Sequence, residues 1–284
     1  MKNISRRNCT SDGGRDFFKL INRVDANIVT FRDIYDGADL SKGRYLILRH
    51  DVDVNLNMAC VISSEEKKRA MKSTFYILHR LFTGEGLRKA VGRLDNIKDE
   101  YFNYSNELKK KLLFLKRTGN DIGLHNNVIG EYLLNGGDMK DILERPLFFM
   151  RDIGLDISCT MPHGDALCSK NGLTNHDLWT EYDSVHDVVK IRHQRLSYKE
   201  YFDYDVSLMM NDKLSGKKVY YISDSGGIWY IRDDNIPFSA TIEFEGGVIG
   251  IRDGRKMIRY IDKFNKEDNA VMILLLHPRW WEVR

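Results

Sequence analysis

The stretch YLILRHDVDVN, Tyr45 to Asn55, runs apolar and then breaks into Arg49, His50, Asp51 and Asp53. Two carboxylates separated by one residue on an extended segment project to the same side of it. Like charges so placed repel, and a cation beside them is the usual remedy, so the spacing argues for a divalent metal. One carboxylate would hold the ion while the other takes a proton from the water it acidifies. The plainer reading is punctuation, because an Asp after a strand often starts a turn or caps a helix. Arg49 stands in the same apolar run, where a guanidinium needs a carboxylate partner, and Asp51 is a neighbour of the right kind.

Four more polar clusters follow apolar runs of strand length. "DIGL" leads to His125-Asn126-Asn127, and "DISCT" to Met161-Pro162-His163-Gly164-Asp165. "KVYYI" leads to Ser223-Asp224-Ser225-Gly226-Gly227, and the last run to His277-Pro278-Arg279-Trp280-Trp281. A single such cluster is an ordinary turn. Clusters at five strand ends fit a site, because loops at the C-terminal ends of parallel strands converge. Histidine and carboxylate donors suit Zn²⁺ or another borderline divalent ion, held by three protein ligands with a fourth position open to water. No H-x-x-x-H or H-E-x-x-H spacing makes the set specific. Trp229, Trp280 and Trp281 are core residues by default, although adjacent tryptophans beside a histidine also fit a wall for a sugar ring. His79 reads as a surface residue, and His176 beside Asp177 as part of a helix cap. Gly226-Gly227 lacks any phosphate-loop context and reads as conformational.

The elements that must position these residues alternate. Apolar runs at 44–49, 73–78, 121–125 and 155–160 are strands, and 55–71, 107–117 and 139–154 carry helical spacing. Pro146 should kink or split the last of these helices. Later, "VVKIRHQ", "KVYYISDSGGIWYI", "GGVIGIR" and "NAVMILLLHP" have strand character around a helix at "GRKMIRYIDKFNKE". The alternation predicts an α/β fold with a mostly parallel sheet, covered on both faces. Residues 1–43 form a loosely patterned N-terminal extension, and 80–101 a surface excursion.

Composition removes several function classes. With 44 Lys and Arg against 41 Asp and Glu in 284 residues, the net charge of +3 leaves no basic footprint for nucleic acid. Cys9, Cys60, Cys159 and Cys168 show no C-x-x-C spacing and read as free thiols in a reducing compartment. The polar start lacks an apolar signal core, and the longest apolar runs are too short to cross a bilayer. A cytoplasmic protein without a transmembrane segment is expected, and no protein partner is inferable.

On these motifs the chain resembles the polysaccharide deacetylase family (the NodB-homology, carbohydrate esterase family 4 superfamily), in its divergent HDVD branch associated with surface polysaccharides. The resemblance covers roughly residues 45–281 and implies a distorted (β/α) barrel, seven-stranded and mostly parallel. Residues 44–284 would form that domain, with 1–43 packed on it. It implies a metal-dependent hydrolase that removes an N-acyl group, acetyl first, from an amino sugar or a sugar-linked intermediate. "LRHDVD" matches the first motif, with Asp51 as base and Asp53 as metal ligand, though Val52 separates aspartates that are usually adjacent. His125 in "GLHNNVI" matches the first histidine of the second motif, and Ile129 stands where the second should be. "MPHG" keeps Pro162 and Gly164 but has Met161 and an added His163. His277 matches the general acid, with Asp224 orienting it; Arg49, by its own chemistry rather than by the motif, orients Asp51 or another acid. Since His163 follows a strand end, Asp53, His125 and His163 become the expected ligand set for the divalent ion, zinc by composition. Asn127, Trp229 and Trp280 are the expected substrate contacts. The alternatives are a non-catalytic carbohydrate-binding protein on the same fold, or a hydrolase of another non-peptide C–N bond.

Overall fold

The computed structural model describes residues 4–6, 17–79, 105–224, 229–232, 248–251 and 254–283. The 80–101 excursion and Gly226-Gly227 lie outside them. The strands are β1 Ile4–Arg6, β2 Asn27–Ile28, β3 Gly43–Val52, β4 Thr74–Leu78, β5 Asp121–Asn126 and β6 Cys159–Pro162. They continue with β7 Tyr204–Asp205, β8 Lys218–Ser223, β9 Trp229–Arg232, β10 Val248–Ile251, β11 Asn269–Leu276 and β12 Trp281–Val283. The helices are α1 Phe17–Ile21, α2 Phe31–Tyr35, α3 Leu56–Lys67, α4 Asn106–Arg117 and α5 Val128–Asn135. After them come α6 Met139–Asp152, α7 Ala166–Lys170, α8 Val206–Lys213 and α9 Gly254–Phe264.

Among the described residues one sheet holds ten strands in the order β10-β9-β8-β11-β3-β4-β5-β6-β7, with β2 also pairing β3. The fold is mixed α/β and the sheet mostly parallel. The strand count differs from the expected seven, and the observed pairings run in a line without one that closes a ring. The added strands explain the difference. β2 contributes only two residues, and β9 and β10 pair antiparallel at one edge, where strand-like sequence does not distinguish a hairpin from a crossover strand.

The chain divides into two compact units. The first comprises Met1–Phe75, Thr118–Asp121 and Met209–Arg284, so residues 1–43 share a unit with the strands that follow them. Its interior strands β3 and β11 are continuous apolar runs: Leu46, Ile47 and Leu48 are buried against Met272, Ile273 and Leu274 in parallel register. A strand buried on both faces needs such a run. α1 and α2 bury Phe17, Phe18, Leu20, Ile21, Phe31 and Ile34, with Phe17 packed on His50 and Trp281 and Phe18 beneath Arg69. The second unit comprises Tyr76–Arg117 and Ile122–Leu208. There α6 is one helix through Pro146 rather than two pieces. Proline removes a single backbone donor. The buried stripe Met139, Leu143, Pro146, Leu147 and Met150 and the Asp138 cap outweigh that loss. The "VVKIRHQ" segment is not a strand but two 3-10 turns, Val188–Lys190 and Arg192–Gln194. Asp187 caps the first of them, and only Ile191 is buried there, so no two-residue periodicity is satisfied. The fourth expected strand starts later than its sequence suggested, at Cys159, and runs to Pro162.

The turn from β3 into α3 is sharp. Asn55 takes a left-handed conformation, φ 64°, while its side-chain oxygen accepts the Met58 backbone N–H at 3.1 Å. Asparagine tolerates that region and supplies the cap at once. Asn55→Ala should therefore lower stability by about 1–3 kcal/mol, combining left-handed strain with the lost cap. Asn55→Gly should lose much less, and urea unfolding midpoints of the two variants would reveal the contrast. Equal midpoints would show that backbone strain is not the issue at this turn.

Candidate active site

In the first unit the parallel register decides which side chains meet. Leu276 of β11 pairs with His50 of β3, and Leu275 pairs with Ser223 of β8. The residues that leave these three strand ends, Asp51, His277 and Asp224, are thereby neighbours. Alternation along β3 sends His50 the other way from its flanking residues. Its Nε2 meets Glu66 Oε1 at 2.8 Å, both side chains fully buried, and its ring stacks on Phe75 at 4.4 Å. Ser73 Oγ donates to the other Glu66 oxygen at 2.7 Å. This buried polar set ties the end of β3 to α3 and the residue before β4.

Arg49 and Asp51 project to the other side. Arg49 Nε donates to Asp51 Oδ1 at 2.8 Å and Nη2 to Oδ2 at 2.5 Å, a two-pronged ion pair that is nearly excluded from solvent. A planar guanidinium fork fixes the orientation of the carboxylate as well as its charge. Asp53, beyond the strand end, keeps slightly more exposure, and its Oδ2 lies 3.9 Å from His277 Nε2.

Asp224 is fully buried and accepts hydrogen bonds from three donors. They are the His277 backbone N–H at 2.8 Å, His277 Nδ1 at 2.8 Å and Trp281 Nε1 at 2.7 Å. Burial alone would push the His277 imidazole toward its neutral form. The Asp224 hydrogen bond and the charges of Asp224, Asp53 and Asp51 outweigh it and raise the pKa to about 9. His277 is thus an imidazolium at neutral pH, anchored through Nδ1, with Nε2 turned toward Asp53. Trp281 is fully buried, edge-on to Trp229 at 5.9 Å and to Phe17 at 5.6 Å. Trp229, expected as a substrate contact, is itself buried in that packing, whereas Trp280 is half-buried beneath the Arg279 guanidinium.

The second unit brings His125 and His163 together. In the β5–β6 register His125 pairs with Met161 and Asn126 with Pro162, so His163 leaves its strand one step beyond Asn126. Its backbone N–H donates to the Asn126 carbonyl at 2.8 Å. The two rings lie 5.0 Å apart, nearly perpendicular. His125 Nδ1 lies 2.9 Å from the Met161 carbonyl. A carbonyl only accepts, so Nδ1 carries the proton and Nε2 presents a lone pair. Ile129, at the position of the missing motif histidine, is a fully buried apolar residue.

Asn127 is committed internally: Nδ2 donates to Asp165 Oδ2 at 2.8 Å, and Oδ1 accepts from Asn175 Nδ2 at 2.8 Å. Asn175 is the residue that sequence reasoning missed. Its Oδ1 accepts the Ile129 N–H at 3.0 Å, and its Nδ2 also donates to the His163 carbonyl at 2.7 Å. One buried amide thus ties the loop after β5 to the loop that carries His163. Gly130 is required beneath this junction, because a Cβ there would lie 2.4 Å from Asn127 Oδ1. His79, expected at the surface, is buried at the end of β4, with its N–H directed to the His125 carbonyl at 3.3 Å. His186, which showed no sequence pattern, pairs through Nδ1 with Asp177 at 2.9 Å.

Two outcomes follow from these contacts. Asn175→Ala should destabilise by roughly 1–3 kcal/mol, since it leaves buried backbone groups without partners. It should also change the chemical environment of His163 in histidine NMR spectra, and an unperturbed His163 would contradict the linkage. For His277 the folded pKa of about 9 exceeds the ordinary 6.5. Its contribution to stability is therefore complete below pH 6.5 and disappears as pH rises through about 9. In chelator-treated protein Asp224→Asn should drop the His277 titration well below that of wild type and remove this pH dependence. A His277 titration unchanged by the substitution would refute the anchoring role.

No protein-family model matches the sequence, and no curated protein matches it. Among solved structures, a Streptococcus mutans CE4 esterase is similar at 14% identity, covering 87% of this chain and 77% of its own, with a TM-score of 0.40. The peptidoglycan deacetylase PdaC from Bacillus subtilis is similar at 12% identity, covering 83% of this chain and 90% of its own, with a TM-score of 0.28. A mutant form of PdaC gives 9% identity and a TM-score of 0.30. Likeness at this level carries no chemistry across, and the function of this chain rests on its own residues.

Proposed function

We propose that the protein is a metal-dependent hydrolase that removes an N-acyl group, acetyl first, from an amino sugar or sugar-linked intermediate. The observation that carries this reading is His277. It is buried, anchored by Asp224 through Nδ1, and turned with Nε2 toward Asp53, where it would offer a proton. A leaving amine needs such a proton, because an amide C–N bond does not break to expel an amide anion at neutral pH.

Asp53, His125 and His163 are the proposed ligands of a divalent ion. The donor set fits a zinc-like ion: two imidazoles and a carboxylate are an ordinary complement for it. The Met161 carbonyl fixes the His125 tautomer that leaves Nε2 as donor, in the way carbonyls support metal-binding histidines. When bound, such an ion supplies a Lewis acid for the acyl oxygen and lowers the pKa of water.

The chain's own groups do the proton work. Asp51, oriented by Arg49, takes a proton from the attacking water. Oxygen adds to the acyl carbon, the C–N bond breaks, and His277 protonates the departing nitrogen. Asp224 stabilises the imidazolium before transfer and keeps Nε2 aimed afterwards. Trp280, half-buried, is the proposed sugar contact.

Paired substitutions separate these roles. Asp51→Asn should keep the metal and lower acetate release by roughly 10²–10⁴-fold, the scale of general acid–base catalysis. Asp53→Asn and His163→Ala should lose metal affinity first and activity as a consequence. Metal content and acetate release, measured on the same preparations with N-acetylated amino-sugar nucleotides, decide the assignment. Full metal retention by both Asp53→Asn and His163→Ala would remove those residues from the ligand set.

A further inference from the structure

Arg279 lies two residues beyond His277, on the 3-10 turn Pro278–Trp280 that follows β11. Its guanidinium carbon sits 4.3 Å from the centroid of the Trp280 ring, and both residues are half-buried. Burial is the main influence on this guanidinium, opposed by the charges of Asp53 and Asp224. Neither carboxylate comes within ion-pair distance, and among the described residues Arg279 has no ion-pair partner. Every other guanidinium around this site is answered: Arg49 is clamped on Asp51 through two hydrogen bonds. Arg279 instead sits over an indole face, a contact that uses none of its N–H donors.

The plainer role for Arg279 is to balance local charge. Asp51 is paired with Arg49 and Asp224 with His277, and Asp53 is among the charges that act on Arg279. A divalent ion at Asp53 would then leave the region with excess positive charge. A half-desolvated, ordered fork with open donors is what proteins use to grip phosphate or carboxylate oxygens.

We propose that Arg279, seated on Trp280, recognises an oxyanion carried by the substrate, so that the amino sugar acted on is anionic. The oxyanion is a phosphate, as in a sugar phosphate or nucleotide-linked sugar, or a carboxylate on the sugar itself. This rests on the N-acyl hydrolase reading and adds to it a substrate class and a residue that selects for it.

The test compares kcat/KM of metal-reconstituted protein for N-acetylglucosamine, its anomeric phosphate, its UDP-linked form and N-acetylmuramic acid. Wild type should prefer at least one anionic probe over the neutral sugar by roughly 10–100-fold, with the preference shrinking as salt rises. In Arg279→Gln, shown by thermal melting to be folded, that ratio should collapse toward one. Arg279→Lys should recover part of a phosphate preference, where a point charge suffices, but little of a carboxylate preference that needs the fork. The phosphate and carboxylate arms thus identify the source of the oxyanion. A preference that survives in Arg279→Gln, or a wild type that favours the neutral sugar, overturns the proposal. If wild type releases acetate from none of the probes, the hydrolase reading fails separately, and calorimetric binding of the same four probes judges the anion site alone. Anionic probes that bind wild type no tighter than the neutral sugar, or bind Arg279→Gln equally well, overturn it there.

Discussion

A buried carboxylate must be answered, and at Asp224 three N–H donors answer it. Two belong to His277 and one to Trp281, so a single side chain fixes the backbone, the ring and the packing of the segment after β11. Remove the carboxylate and burial would drive His277 neutral. Keep it, and the imidazole is charged, aimed and poised beside Asp53. The cost of burying the Asp224 charge is offset only because all three donors arrive together. That requirement reaches back through Trp281 to Phe17 in α1 and Trp229 in β9, which wall the indole in place. The N-terminal segment therefore contributes to the acid's surroundings, although nothing in its sequence announces a chemical role.

The same logic governs the other side of β3. His50 and Asp51 are adjacent in sequence and serve opposite faces. His50 joins a buried network through Glu66 and Ser73, and Asp51 joins Arg49. The HDVD sequence is a strand end that anchors itself on one face and presents carboxylates on the other. In the second unit Asn175 plays a comparable part, because its amide joins two loops and carries the histidine-bearing turn with them.

Much of this was legible beforehand. Continuous apolar runs located β3, β4, β5, β8 and β11, because strands covered on both faces admit little else. The polar residues after them are the candidates for chemistry, since loops at the C-terminal ends of parallel strands converge. Arg49 was legible for a thermodynamic reason: a guanidinium in an apolar run had to find an acid. Other features were not. Asn175 looks like any helix-start asparagine, and its four contacts depend on loops that no local pattern specifies. Trp281 and Trp280 are adjacent and identical in type, yet one fills the core beside Asp224 and the other lies half-exposed under Arg279. Only the register of the chain after His277 separates them. Pro146 does not split its helix, because the buried stripe outweighs one lost backbone donor. The 3-10 turns at 188–194 were misread because valine was taken as a strand signal where only one neighbouring residue is buried.

In the proposed reaction His277 delivers a proton to the departing nitrogen. The most direct measurement compares wild type and His277→Ala on an N-acetylated amino sugar and on an acetyl ester with a phenolate leaving group, with metal content matched. The amide needs an acid and the phenolate does not. The expected result is a loss of roughly 10²–10⁴-fold on the amide and a far smaller loss on the ester. Equal losses on both substrates, or an amide rate untouched by the substitution, would contradict the assignment of His277 as the acid.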